Sequence, residues 1–284
     1  MKFTKMHGCG NDYIFADCFK EKIENPSALS IRVSDRHFGI GSDGLILIGP
    51  SERADFSMAI FNADGSEGKM CGNGIRCVGK YVYEHGLTSK EEISVETLSG
   101  IKTLKLFPEN GRVTEVRANM GKPEFSPEKI PVKIPGLDKN ILKEYPITIK
   151  IGNNEETRRF TAVSMGNPHA VIKEEEIKNL DLEKIGPLYE NHPFFPDRIN
   201  TEFIRIINKN EIEMRVWERG SGETLACGSG ACASAAACVL NGYTEPKVKV
   251  HLKGGDLDID YDLISGDIFL TGEAVEVCTG NIDI

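Results

Sequence analysis

The chain has 284 residues, 40% hydrophobic and 27% charged, with a formal net charge of −9. That length suits two domains of ordinary size, and the acidic balance argues against a nucleic-acid surface, which needs clustered Lys and Arg. No run of about 18 apolar residues is present to span a membrane, and residues 1–7 lack the apolar stretch of a secretory signal. The expectation is a cytoplasmic protein that takes a small molecule, with neither nucleic acid nor membrane as partner.

In chain order, residues 1–7 read as the start of an amphipathic strand. Further strands are expected at residues 13–18, 45–48, 57–61 and 102–107. After a Pro- and Lys-rich stretch over 121–146, read as a linker, others are expected at 147–151, 159–164, 202–207 and 211–217. Each is rich in β-branched or aromatic residues and bounded by Gly, Pro, Asn or Asp. One helix is expected over 72–85, ending at Gly86 as a C′ glycine. A second is expected over 228–240, ending near Gly242; its interior is small or apolar on every side, the pattern of a buried helix. A last strand near 274–278 follows the second half and is expected to cross back to the first.

The segments repeat. Gly10-Asn11 returns as Gly166-Asn167, Asn62 to Glu67 aligns with Glu218 to Glu223, and Cys71-Gly72-Asn73-Gly74 aligns with Cys227-Gly228-Ser229-Gly230, always 156 residues later. One interval across three separated blocks implies two homologous halves. The expected fold is α+β: two pseudo-symmetric domains, each a curved, mostly antiparallel sheet or barrel around a central helix. Residues 1–118 with about 273–284 would form one, and 119–272 the other. Halves related by a pseudo-twofold axis would set Cys71 opposite Cys227 across a cleft.

The eight cysteines are even in number, but a large chain without a secretion signal is expected to keep them reduced. Cys71 and Cys77, like Cys232 and Cys238, are separated by five residues, which is not the spacing of a zinc knuckle, so no metal is expected. Gly228 to Ala233 fits G-x-G-x-x-A, but no βαβ pattern or following acidic strand end supports a dinucleotide site.

Alone, a Cys-Gly-x-Gly corner is an ordinary turn before a buried helix, with the cysteine a small core residue. Two at equivalent positions mean more. Unpaired N–H groups at a helix N-terminus attract anions and lower a thiol's pKa. Two such ends can hold the carboxylate of an α-amino acid where negative charge grows as Cα loses its proton. One cysteine as thiolate would remove that proton and the other as thiol would deliver one to the opposite face, inverting the centre without a cofactor.

The segments Lys5 to Tyr13, Phe61 to Glu67, Met70 to Cys77, Met165 to His169, Arg198 to Asn200, Trp217 to Gly220 and Glu223 to Ala233 resemble diaminopimelate epimerases over essentially the whole chain. The resemblance implies epimerisation of LL- to meso-diaminopimelate in lysine and peptidoglycan precursor synthesis, by a cofactor-independent homodimer. It implies that Cys71 and Cys227 are the acid/base pair and that Gly72, Asn73, Gly228 and Ser229 hold the reacting carboxylate. Asn11, Asn62, Asn167, Asn200, Glu218 and Arg219 would bind the remaining polar groups, with His169 in support. Arg219 suits a second carboxylate and Glu218 an ammonium. One departure stands out: many members carry Gln where this chain has Gly44. Cys9 is a further thiol near Asn11.

A proline or hydroxyproline racemase shares the fold and the cysteines, but does not need Glu218 and Arg219 for a distal amino-acid group. A phenazine-pathway-like isomerase or a binding protein of this fold would not need both cysteines. A redox protein would use them as a disulfide.

Overall fold

The computed structural model describes residues 1–283. The chain divides into two compact units, one of residues 1–119 with the segment from Thr271 onward, the other Met120–Leu270. The first carries β1 (Lys2–Gly8), β2 (Asn11–Asp17), α1 (Pro26–Ser34), β3 (Gly44–Gly49), β4 (Phe56–Asn62), β5 (Glu67–Gly68), α2 (Gly72–Glu84), β6 (Glu92–Thr97) and β7 (Gly100–Glu109), and is left within β8 (Arg112–Gly121). The second carries β9 (Tyr145–Ile151), β10 (Asn154–Ser164), β11 (Pro168–Lys173), α3 (Leu182–Glu190), β12 (Asn200–Asn208), β13 (Glu211–Glu218), β14 (Gly222–Glu223), α4 (Gly228–Asn241), β15 (Lys247–Leu252) and β16 (Gly255–Tyr261). The chain leaves it within β17 (Ile268–Glu273), and β18 (Val275–Asn281) belongs to the first unit, antiparallel to β1.

The fold class is α+β. In the first unit β1 and β2, β3 and β4, and the meander β6–β7–β8 pair antiparallel, while β2 with β3 and β4 with β6 pair parallel. The second unit repeats the scheme, with β11 parallel to β12 and β13 parallel to β15. Registers repeat too. Ile14 opposes Leu45 and Leu45 opposes Phe61; 156 residues later Ala170 opposes Thr201 and Thr201 opposes Trp217.

Both expected helices form, and each unit packs one against its strands. α2 lies on β1, β2 and β7, and α4 on β10, β11, β12, β15 and β16. Ala231, Ala233, Ala235 and Ala236 of α4 are all fully buried, so strands approach on several sides. Gly86 (φ 73°) and Gly242 (φ 74°) end the helices in the left-handed region, where a Cβ would be strained.

Two helices absent from the sequence reading also form. α1 is capped by the Asn25 side chain, which accepts from the Ala28 N–H, and opens with Pro26; α3 is capped by Asp181. They cover the sheet faces where Ile14, Leu45 and Phe61 pack with Leu29 and Val33, and where Ala170, Ile172 and Phe203 pack with Ile185 and Tyr189. The stretch 121–146 is not a loose linker. Ile130, Val132 and Leu142 drop into the core of the second unit, because apolar residues alternate there with the prolines.

No helix among the described residues is long and apolar enough to cross a membrane.

Candidate active site

Cys71 is the N-cap of α2. Its extended backbone (φ −131°, ψ 120°) turns the side chain back over the first turn, where Sγ accepts from the Gly74 N–H at 3.3 Å. The same sulfur donates to Asn11 Oδ1 at 3.4 Å, and Asn73 Nδ2 donates to that oxygen at 3.3 Å. Asn11 Nδ2 donates to Asp43 Oδ2 at 2.7 Å. Asp43 in turn receives Arg36 Nη2 at 2.9 Å, and the same guanidinium nitrogen bridges to Asp12 Oδ1 at 2.9 Å. Burial, followed by the neighbouring Cys71, pushes the Tyr13 hydroxyl well above its usual range.

Asn62 ends β4 on the surface and donates from Nδ2 to Ser66 Oγ at 2.9 Å. Gly44 has no room for a side chain. A Cβ there would stand 2.2 Å from the Phe61 carbonyl oxygen and 3.0 Å from Tyr13 Cε1, so Tyr13 and Phe61 fill the space a longer residue would take. Cys9 is buried in a left-handed conformation (φ 52°), with Sγ 3.7 Å from Arg76 Nη2.

In the second unit Cys227 is the N-cap of α4 (φ −123°, ψ 109°), without a capping bond from its own side chain. Its sulfur lies 3.5 Å from Ser229 Oγ. Burial, then the carboxylates of Glu218 and Glu202, raise the thiol well above its usual range. Burial likewise raises the Glu218 carboxyl, which receives Thr224 Oγ1 at 2.5 Å. Asn167 donates from Nδ2 to Ser229 Oγ at 3.2 Å and presents Oδ1 to His169 Nε2 at 3.0 Å. His169 Nδ1 meets Glu202 Oε1 at 2.7 Å.

Strand alternation puts these groups together. In β11 the side chains of Ala170 and Ile172 enter the core beneath α3, so His169 lies on the opposite face. In β12 Phe203 enters that core, leaving Asn200 and Glu202 on the face of His169.

Not every candidate stands with the cysteines. Asn200 commits its amide to the fold: Nδ2 donates to the Pro168 carbonyl at 2.8 Å and Oδ1 accepts the Arg219 N–H at 2.9 Å. Arg219 is exposed and donates to the Asp197 carbonyl at 2.9 Å, apart from the Glu218–Thr224 contact. Asp43, Tyr13 and Glu202 were not singled out in the sequence. A signal for Glu202 was available, since it is a charge beside the apolar stretch Phe203-Ile204 and is wholly buried.

All eight cysteines stand as thiols. The arrangement offers two thiols at the N-termini of helices in equivalent places, one tied to a neutral amide and one beside two carboxylates. Such groups can give or take a proton, and the helix ends can hold an anion.

Comparison with known proteins bears on that chemistry. The family model described as Diaminopimelate epimerase matches residues 3–126 and 161–277. The chain is 57% identical to the diaminopimelate epimerase of Agathobacter rectalis over 289 aligned residues, covering 100% of both chains. It is 54% identical to that of Acetivibrio thermocellus, covering 100% of this chain and 99% of the relative. Among solved structures, a Bacillus anthracis phenazine biosynthesis protein of the PhzF family superposes with TM-score 0.71 at 16% identity, covering 100% of this chain and 99% of that one. A hydroxyproline epimerase from Agrobacterium vitis gives 0.69 at 15% identity, covering 99% and 90%. These two likenesses are of fold.

Proposed function

The chain belongs to the diaminopimelate epimerase family, and on that premise we propose that it epimerises diaminopimelate by moving a Cα proton between Cys71 and Cys227. The observation that carries the reading is the duplication, which places a cysteine as N-cap of the equivalent helix in each unit. In the proposed mechanism the two sulfurs act on opposite faces of Cα. One sulfur, as thiolate, removes the proton from one face of Cα, and the other, as thiol, protonates the opposite face. Two groups are needed because a single base tends to return the proton to the side it left. The first-turn N–H groups of Gly72, Asn73, Gly228 and Ser229 hold the reacting carboxylate, where the charge of the carbanion accumulates.

Glu218, which accepts from Thr224, offers a carboxylate suited to an ammonium of the substrate. His169 and Asn167 support the side of Cys227, and Asn11 the side of Cys71. Arg219 takes the distal carboxylate and Glu218 the distal ammonium, with Asn62 beside them, while Asn200 positions Arg219 by accepting its backbone N–H. The reaction is proposed to need no cofactor, the working form to be a homodimer and the setting to be the cytoplasm, where thiols stay reduced. A proline racemase of this fold is the weaker reading, since the hydroxyproline epimerase is 15% identical to this chain and the diaminopimelate epimerase of Agathobacter rectalis 57%.

The test is proton NMR of the reduced protein with LL-diaminopimelate in D₂O, without cofactor and with EDTA. Loss of the Cα–H signal with appearance of the meso isomer is the expected result. Exchange of L-proline in its place would move the chain to the racemase branch, and no exchange with either would end the enzymatic reading.

A further inference from the structure

The two units hold equivalent asparagines the opposite way round. In the first, Asn11 Nδ2 is taken by Asp43 at 2.7 Å, so Oδ1 is the atom turned to Cys71 and Asn73. An amide oxygen only accepts, so the hydrogen between Asn11 and Cys71 belongs to the sulfur. In the second, Asn167 Oδ1 is turned to His169 and Nδ2 to Ser229. Having accepted from Asn167, Ser229 has its own hydrogen left for Cys227 Sγ at 3.5 Å.

The anchors are carboxylates at non-equivalent positions. At the 156-residue interval, the counterpart of Asp43 is Ile199 and that of Glu202 is Ile46, both isoleucines fully buried. The counterpart of His169 is Tyr13. His169 and Glu202 have no solvent exposure, and each ring nitrogen of His169 faces an oxygen acceptor. A doubly protonated ring with a carboxylate counterion satisfies both contacts. Glu202 Oε2 finds no hydrogen-bond partner among the described residues, a cost that packing alone does not explain.

We infer that Asp43 and Glu202 are positioning residues that hold the two equivalent asparagines in opposite senses, so that Cys71 meets a hydrogen-bond acceptor and Cys227 a donor. The inference rests on the reading of these cysteines as the reacting pair, but its test does not use turnover. Other groups act on the same sulfurs. Cys71 also has the Tyr13 hydroxyl beside it and the Gly74 N–H on its sulfur, with Cys77 nearby, while Cys227 has the Glu218 carboxyl beside it, and Glu202 itself is a negative charge nearby.

The experiment is the pH dependence of iodoacetamide labelling of Cys71 and Cys227, read by peptide mass spectrometry, in the full-length protein and in Glu202→Gln and Asp43→Ala. The substituted glutamine side chain keeps the shape and can accept from His169 Nδ1, but it leaves the ring one proton. Nε2 must then accept, which turns Asn167 and, through it, Ser229. The expected result in Glu202→Gln is a rise of about one pH unit in the Cys227 midpoint, about a tenfold loss of thiolate at fixed pH, with Cys71 unmoved. Asp43→Ala should lower the Cys71 midpoint by a similar amount and leave Cys227 in place. An unmoved Cys227 midpoint in Glu202→Gln would overturn the inference, and so would a fall, which would mean that Glu202 acts as a bare negative charge.

A second measurement does not depend on the variants folding. In the wild-type protein, NOEs from the side-chain amide protons should run from Asn167 Nδ2–H to the Ser229 Hβ protons and from Asn11 Nδ2–H to the Asp43 Hβ protons, and the reverse sense at either asparagine would overturn the inference. The expected labelling shifts in a protein that fails to epimerise would sink the catalytic reading and leave the orientation of the asparagines standing.

Discussion

Arg76 donates from Nη1 to the carbonyl oxygen of Gly72 at 3.0 Å, although no part of Arg76 reaches solvent. Its Nε donates to the Glu273 carbonyl at 3.2 Å, so one guanidinium joins the first turn of α2 to the segment that leads into β18. A buried cation held by carbonyls serves as a brace. Arg76→Ala removes both donors and opens a cavity, and should lower the unfolding free energy by about 3 kcal/mol. Urea denaturation checks this, and a change under about 0.5 kcal/mol would show that the brace contributes little.

Cys71→Ala and Cys227→Ala should each reduce epimerisation by about a thousandfold or more, because each removes one acid/base group. Both should stay folded, since the change deletes one atom and costs about 1 kcal/mol. Epimerisation followed by NMR, beside a thermal melt, separates the two effects. Full activity in either variant rules out a two-base reaction.

Lys90 Nζ approaches Asp55 Oδ1 at 2.5 Å, and the Ser94 N–H and Oγ–H both donate to Oδ2 at 2.8 Å. Led by the Lys90 contact, these bonds hold the carboxyl down at about 2, against an ordinary 3.8. The folded form therefore has the lower pKa. Its stabilisation is complete above the ordinary value and is lost as pH falls toward 2. Asp55→Asn should be less stable than wild type at pH 5, and the gap should shrink as pH drops from 4 to 2. Chemical denaturation at several pH values reads this, and a constant gap would remove Asp55 from the account.

Gly74 and Gly230 are the third residues of α2 and α4. A methyl added at Gly74 would stand 2.5 Å from Ile46 Cδ1, and one at Gly230 would stand 2.6 Å from Glu202 Oε1. An Ile methyl can turn aside, whereas that oxygen is tied to His169. Gly→Ala within a helix ordinarily stabilises by about 1 kcal/mol. Here both changes should destabilise, Gly230→Ala by about 1 kcal/mol more than Gly74→Ala. Denaturant midpoints of the pair decide it, and the reverse order would show that Glu202 is free to move.

The sequence carried much of this. Glycines marked where α2 and α4 stop, β-branched runs marked the central strands, and the repeated interval marked the duplication. What it concealed had physical causes. α1 and α3 are nine residues long, and Pro187 sits inside α3, so neither shows a sustained helical period. The polar alternation of β8 and β16, exposed on one side, is weak beside an apolar run. His169 and Glu202 are 33 residues apart and meet only through the parallel register of β11 on β12, which no local pattern encodes. The same holds for Asp43 and Asn11, brought together by the pairing of β2 with β3.

β1 pairs along most of its length with β18, with Lys2 opposite Asn281 and His7 opposite Val275, and the Met1 amino group donates to the Ile282 carbonyl at 2.8 Å. On the ribosome the first strand made must therefore wait for the last. The unit that contains Cys71 cannot close its sheet until the whole of the second unit has been synthesised, so the second, built from one continuous stretch, is free to finish first.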